Sequence, residues 1–220
     1  MSIRAIASDY DGTLAENDVV PASTVAALAR FKASGRTLIL VTGRHLPDLK
    51  EVFGSLHLFD LVVVENGGLL YFPGSGEVRP LAAPPSDAFV ASLRRRGVDE
   101  LAVGQTIVAT HTGHHQAIRS AIDELGLDLE IILNTDALMV LPKGIDKASG
   151  RRAALAELGL DAADVEASGD AENDLAFLTQ CGHAVAVANA LAPVKAIATV
   201  VTRAPGGAGV EEFSASVLEG

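Results

Sequence analysis

The sequence predicts an α/β protein: a doubly wound, mostly parallel sheet with a small α+β unit inserted into it. Three observations carry this. Short apolar runs alternate with helical periodicity in the first and last thirds of the chain. A block of Pro and Gly between residues 73 and 85 separates the first third from a stretch of different texture. Aromatics are only 4% of the 220 residues and Trp is absent, while hydrophobic residues reach 49%. The core must then be built from Ala, Val, Leu and Ile, which suits buried parallel strands and closely packed helices.

The elements follow in order. Residues 3–8 read as a strand. Residues 24–33 read as a helix, with Val25, Leu28, Ala29 and Phe31 at helical spacing and Gly35 as a stop. Residues 37–41 form a continuous apolar strand, 48–53 a helix and 61–64 another buried strand. Asn66-Gly67-Gly68 reads as a tight turn into a strand over 69–72. No regular element is expected between Pro73 and Pro85. Helices over 87–96 and 116–125 and strands over 105–110, 129–133 and 138–141 then make the α+β unit, the last two strands joined at Asn134-Thr135-Asp136. The alternating pattern resumes with a helix over 147–158, a strand over 165–168, a helix over 174–179 and a strand over 184–187. A helix over 192–198 and a strand over 199–202 close it. The expected division is a core of residues 1–80 and 147–220 and an insert of residues 81–146. There is no internal repeat and no low-complexity tract.

A formal net charge of −11 argues against a nucleic-acid or anionic-membrane partner. It also means that any phosphate-bearing ligand needs local cations. The single cysteine, Cys181, excludes an internal disulfide framework. The first residues run straight into a strand, without a charged segment followed by a long apolar one. No apolar run approaches the ~20 residues that span a bilayer. The expectation is a soluble cytoplasmic protein.

Chemistry concentrates at strand ends. Asp9-Tyr10-Asp11-Gly12-Thr13-Leu14 follows the first strand, and two carboxylates two residues apart point to one side of a sheet. One can attack a phosphorus while its neighbour handles a proton. Gly169-Asp170-Ala171-Glu172-Asn173-Asp174 follows a later strand, with Asp170 and Asp174 one helical turn apart. Magnesium takes one or two carboxylates plus water and substrate phosphate, and Asp9, Asp170 and a backbone carbonyl would meet that need. Taken alone, this second cluster also reads as a capped helix start. Thr42-Gly43-Arg44 follows the second strand and offers a hydroxyl and an N–H to a phosphate oxygen. Lys147 opens a helix against its dipole, which disfavours a purely structural role. Lys143 is the rival cation.

In an open α/β sheet these ends gather into one crevice. The ordered set resembles the haloacid dehalogenase-like superfamily of phosphohydrolases, in the Cof-type and sucrose-phosphate-phosphatase-like branch whose cap is inserted between the second and third motifs. Glu65-Asn66-Gly67-Gly68, Val187-Ala188-Asn189-Ala190, Lys195 and Gly209-Val210 are further matches. The resemblance covers nearly the whole chain, least specifically in the cap. It implies Asp9 as nucleophile and Asp11 as general acid, then base. It implies Thr42, Gly43, Arg44, Lys147 and Asn173 as phosphate-binding residues, and Asp9, Asp11, Asp170 and Asp174 around a magnesium ion. The implied activity is a Mg2+-dependent phosphatase for a small phosphate ester, phosphoglycolate or a sugar phosphate, working through an aspartyl-phosphate. A phosphomutase of the same superfamily and a non-catalytic acidic receiver-like domain are the rival readings. Nothing in the pattern decides oligomeric state, and a homodimer stays open.

Other residues weigh less. His111, His114 and His115 cluster in the insert with no Cys nearby, and a surface loop is the favoured reading over a zinc site or substrate contact. His45 could line the crevice. Arg94-Arg95-Arg96 reads as an exposed helix end. Cys181 reads as a packed or loop residue. Gly206-Gly207-Ala208-Gly209 lacks the Lys-Ser/Thr of a nucleotide-binding loop.

Overall fold

The computed structural model describes residues 3–134 and 136–219; Thr135, at the centre of the expected 134–136 turn, lies outside them. The chain opens with β1 (Ala5–Ser8), α1 (Ala22–Ala33), β2 (Thr37–Val41), α2 (Leu46–Val52), β3 (Leu61–Val64), β4 (Leu69–Phe72) and β5 (Glu77–Pro80). Its middle holds α3 (Asp87–Arg95), β6 (Ala102–Val103), β7 (Val108–His111), α4 (His115–Leu125), β8 (Leu129–Asn134) and β9 (Ala137–Pro142). It ends with α5 (Lys147–Leu158), β10 (Val165–Gly169), α6 (Leu175–Thr179), β11 (His183–Ala186), α7 (Ala192–Ile197), β12 (Val200–Val201) and α8 (Gly206–Glu219).

The main sheet runs β12-β11-β10-β1-β2-β3-β4-β5. It is parallel from β12 to β3, while β4 and β5 are antiparallel additions. Helices cover both faces, so the central strands are apolar without alternation: Leu38 to Val41 and Leu61 to Val64 are all fully buried. β1 lies between β10 and β2. The chain therefore winds outward in both directions from β1, and the crevice of such a sheet opens at the carboxyl ends of these three strands.

The second sheet, β6-β7-β9-β8, is antiparallel and forms the cap. Its two faces do different work. Along β9, Leu138 and Val140 join Phe89, Leu93, Ile118 and Ile122 in a core under the cap helices. Met139 and Leu141 project to the other side with Ile107, as the two-residue period of a strand requires.

The structure adds elements to the expected list. β5 lies inside the stretch expected to be irregular. The 73–76 segment is its hairpin turn, with Ser75 and Gly76 N–H groups on the Phe72 carbonyl, and Pro80 ends an edge strand, where a missing N–H is tolerated. α8 starts in the glycine run of residues 206–209, to which the sequence assigns no element. The glycines fit close packing: a Cβ on Gly207 would stand 2.4 Å from the Thr24 hydroxyl of α1. The strand expected over 105–110 starts later, because Gly104 donates to the Ile107 carbonyl and turns the chain there. Among the described residues no helix is long and apolar enough to cross a membrane.

Candidate active site

Asp9 leaves β1 with its N–H still on the Ser168 carbonyl of β10 at 2.9 Å, and only 3% of it is exposed. Three residues on, Gly12 turns at φ +77, and a Cβ there would stand 2.2 Å from Asp170 Oδ2. A side chain would be both strained and without room. The Thr13 hydroxyl donates to Asp170 Oδ1 at 3.2 Å, and Asn189 Nδ2 donates to the Gly12 carbonyl at 2.8 Å. The β1 loop is thus tied to the ends of β10 and β11.

Lys147 stands at the centre. Its Nζ donates to Asp9 Oδ1 at 2.5 Å and to Asp174 Oδ1 at 2.7 Å, and it is 2% exposed. Asp174 Oδ2 accepts the N–H groups of Asp170 and Ala171 at 3.0 and 3.1 Å. α5 is capped by Asp146, whose side chain accepts the Ser149 N–H while Ser149 bonds back. The carboxylates facing Lys147 offset its unfavourable place at a helix start. Burial pushes the Lys147 ammonium down, but Asp174 and Asp9 outweigh it and its pKa is raised. Burial, then the Asp174 charge, raises Asp9 well above the usual carboxylate range despite Lys147. The same two causes lift Asp170 to about 6.

Oxygens of Asp9, Asp170 and Asp174 lie within 4.8 Å of one another. Three carboxylates against one ammonium leave an excess of negative charge in a buried place. Hard oxygen donors at that spacing suit a divalent cation such as magnesium. Asp11 is not in this group.

The 42–44 loop closes the other side. Thr42 is buried, its N–H on the Val63 carbonyl, and its hydroxyl oxygen accepts the Arg44 N–H at 3.1 Å. The Arg44 guanidinium turns to Asp11, with Nε 2.9–3.0 Å from both carboxylate oxygens and Nη2 2.5 Å from Oδ1. It also pairs with Asp18 and lies over the Tyr10 ring. These bonds, Asp11 foremost, raise its pKa. Asn173 donates to Asn66 Oδ1 at 3.4 Å, which leaves Asn173 Oδ1 and Asn66 Nδ2 buried without partners. Lys143 is exposed and outside the cavity.

Asp9, Asp11, Gly43, Arg44 and Lys147 open onto a cavity of about 270 Å³ between the core and the cap. Its other lining is His45 and Asp48 from the core and Ala102, Ala109, Asn134, Ala137 and Met139 from the cap. His45 Nε2 and Asn134 Oδ1 are buried there without hydrogen-bond partners. The cap residues were invisible in the motifs, although the alternation of Met139 and Leu141 against Leu138 and Val140 marks a face turned away from the cap helices. An apolar cleft of about 240 Å³ beside Pro84, Phe89 and Val140 shares no lining residue with the cavity and carries no cation. His111 and His114 pair with Glu100 and Asp99 on the cap surface. Cys181 accepts from Arg151, donates to the Phe177 carbonyl, and burial lifts its thiol to about 11.

Comparison with known proteins agrees with this geometry. The chain is 32% identical over 219 residues to a phosphoglycolate phosphatase of Methanothermobacter thermautotrophicus, covering 96% of each. It is 30% identical to phosphoglycolate phosphatase 2 of Saccharolobus solfataricus, covering 98% of this chain and 92% of the relative. A haloacid dehalogenase-like hydrolase from Bacteroides thetaiotaomicron superposes with a TM-score of 0.84 at 20% identity, over 98% of this chain and all of the other. Residues 6–84 and 98–213 match the haloacid dehalogenase-like hydrolase family, and the chain belongs to it.

Proposed function

We propose that this hydrolase is a magnesium-dependent phosphatase of small phosphorylated metabolites, acting through an aspartyl-phosphate on Asp9. One observation carries the reading: Lys147 joins buried Asp9 to Asp174 at the end of the central strand, on the floor of a cavity roofed by the cap. The proposed division of labour is a catalytic core of residues 1–80 and 147–220 and a cap of residues 81–146. A reducing cytoplasm suits its lone, half-buried thiol.

Asp9 attacks phosphorus, the P–O ester bond breaks, and Asp11 gives its proton to the leaving alkoxide. Asp11 then takes a proton from water, whose oxygen attacks the phosphorus of the acyl phosphate. Phosphate leaves and the Asp9 carboxylate is restored. The bond from Arg44 to Asp11 fixes the carboxyl that must move the proton. Lys147, the Thr42 hydroxyl, the Gly43 N–H and Asn173 neutralise or bind phosphoryl oxygens. Asp9, Asp170 and Asp174 would hold the magnesium ion, which supplies Lewis-acid charge against those oxygens. Asp11 would serve it without its carboxylate, which is turned to Arg44.

Phosphoglycolate is the first substrate to test, because full-length relatives carry that activity in their names. Small sugar phosphates come second. His45 and Asn134 offer the free polar atoms that would face the leaving group. The test is phosphate release from a panel of metabolite phosphates with and without magnesium. Magnesium-dependent release from a few small esters is expected; a flat panel would point to a binding domain instead.

A further inference from the structure

The turn over residues 65–68 takes no part in the chemistry, yet four parts of the molecule meet on it. Its Glu65 and Asn66 N–H groups donate to the Arg44 and Thr42 carbonyls at 2.9 and 3.0 Å, holding the phosphate loop. The Gly68 carbonyl accepts the Leu81 N–H at 2.8 Å, where the chain departs for the cap. Where the chain returns, a Cβ on Gly67 would stand 1.9 Å from the Asp146 carbonyl oxygen. The cap itself sits close enough that a Cβ on Gly68 would stand 1.8 Å from Thr106 Oγ1.

Glu65 makes the polar link. It is 2% exposed, and its carboxylate accepts the Gln105 N–H at 3.0 Å, the Thr106 N–H at 2.7 Å and the Thr106 hydroxyl at 2.9 Å. Among the described residues, no other hydrogen bond or ion pair involving a side chain joins residues 87–142 to residues 1–80 or 147–220. Glu65 and Asn66 both lie in the left-handed region, at φ +51 and +52, which an ordinary side chain avoids unless its surroundings impose it. That backbone serves two side chains at once: Glu65 reaches the cap and Asn66 reaches Asn173 in the site.

We infer that Glu65 is a positioning residue that holds the cap over the catalytic cavity and, through the same turn, couples the cap's seating to the 42–44 phosphate loop. Removing its carboxylate leaves the Gln105 and Thr106 N–H groups without acceptors, so the docked cap loses its anchor. Ala102, Ala109, Asn134, Ala137 and Met139 then lose their register over the bound ester. Groups that bind the phosphate from the core lose less.

The test combines amide exchange with kinetics on Glu65→Ala, Glu65→Gln and Thr106→Val. Exchange at Gln105 and Thr106 should accelerate about tenfold or more in Glu65→Ala while the amides of β1 and β10 keep their protection. Glu65→Gln keeps an acceptor for Thr106 but turns an NH2 toward Gln105, and Thr106→Val drops one bond of three, so both should fall between. On 2-phosphoglycolate, kcat/KM should drop about tenfold, mainly through KM, with a smaller loss on p-nitrophenyl phosphate. Unchanged exchange at 105 and 106, exchange raised equally in β1 and β10, or equal kcat losses on both esters would overturn the inference. If Glu65→Ala fails to fold, the two milder variants decide. The kinetic arm rests on the phosphatase reading and the exchange arm does not, so an inactive wild type would defeat that reading alone.

Discussion

The core and the cap bury polar groups of different kinds. Among the described residues, the buried charged side chains are Asp9, Glu65, Lys147, Arg151, Glu166 and Asp174, and all belong to the core. The cap buries only Ser92, Thr106 and Thr110 as polar residues, under an apolar cluster of its own. Burying a charge is costly unless partners or a ligand compensate it. In the core, Asp9, Lys147 and Asp174 compensate one another in one cluster. The cap brings uncharged walls that shape the cavity. On this division, core substitutions should strike turnover on every ester, and cavity-wall substitutions should change which ester is used.

The largest effect tests the first half. Asp9→Asn should fold normally and lose at least ~10⁴-fold in kcat on all esters, because the amide that replaces the carboxylate cannot form the acyl phosphate. Near-normal phosphate release would remove Asp9 as nucleophile. Asp11→Asn should lose about 10²–10⁴-fold on an alkyl phosphate and much less on p-nitrophenyl phosphate, whose leaving group needs no proton. Equal losses on both would remove Asp11 as the acid.

An intermediate effect tests the second half. His45→Ala and Asn134→Ala should each raise KM for the physiological ester about 5–50-fold, the range of one lost hydrogen bond in a closed site. Their kcat on p-nitrophenyl phosphate should stay near wild type. A uniform loss of kcat would place these residues in the chemistry rather than in leaving-group recognition.

The same contrast explains what could be read from the sequence. The chemistry was legible because it sits where short apolar strands end: Asp9 after β1, Thr42 after β2 and Asp170 after β10 are each marked by the run before them. The pairing of Lys147 with Asp9 spans 138 residues and has no signal in the sequence, where the order of motifs marks Lys147 only as a phosphate-binding residue. The diversion of Arg44 to Asp11 and Asp18 leaves no pattern, since Asp18 lies in an irregular segment. The cap's contribution was illegible for a plainer reason. Ala102, Ala109 and Ala137 line the cavity, and an alanine in a strand looks the same on either face. α8 was hidden because its opening glycines serve packing, while glycine ordinarily argues against a helix.

The smallest effect asks whether the core's tolerance of buried charge is confined to the site. Glu166 is the second residue of β10, away from the cavity lining, with Oε2 buried and unpartnered. Burial alone lifts its carboxyl from 4.5 to about 7. The folded protein therefore holds a proton that the unfolded chain gives up, and stability falls as pH rises from about 4.5 to 7, then levels off. Glu166→Gln removes that penalty. It should leave stability nearly unchanged at pH 4 and raise it by about 1–3 kcal/mol at pH 8, the lower part of that range reflecting partial solvent access. Asp170, also raised, is common to both proteins and cancels in the difference. Urea unfolding of the two proteins at pH 4 and pH 8 measures it. An equal difference at the two pH values would mean that Glu166 is compensated in the fold, and that the core accommodates charge beyond its active site.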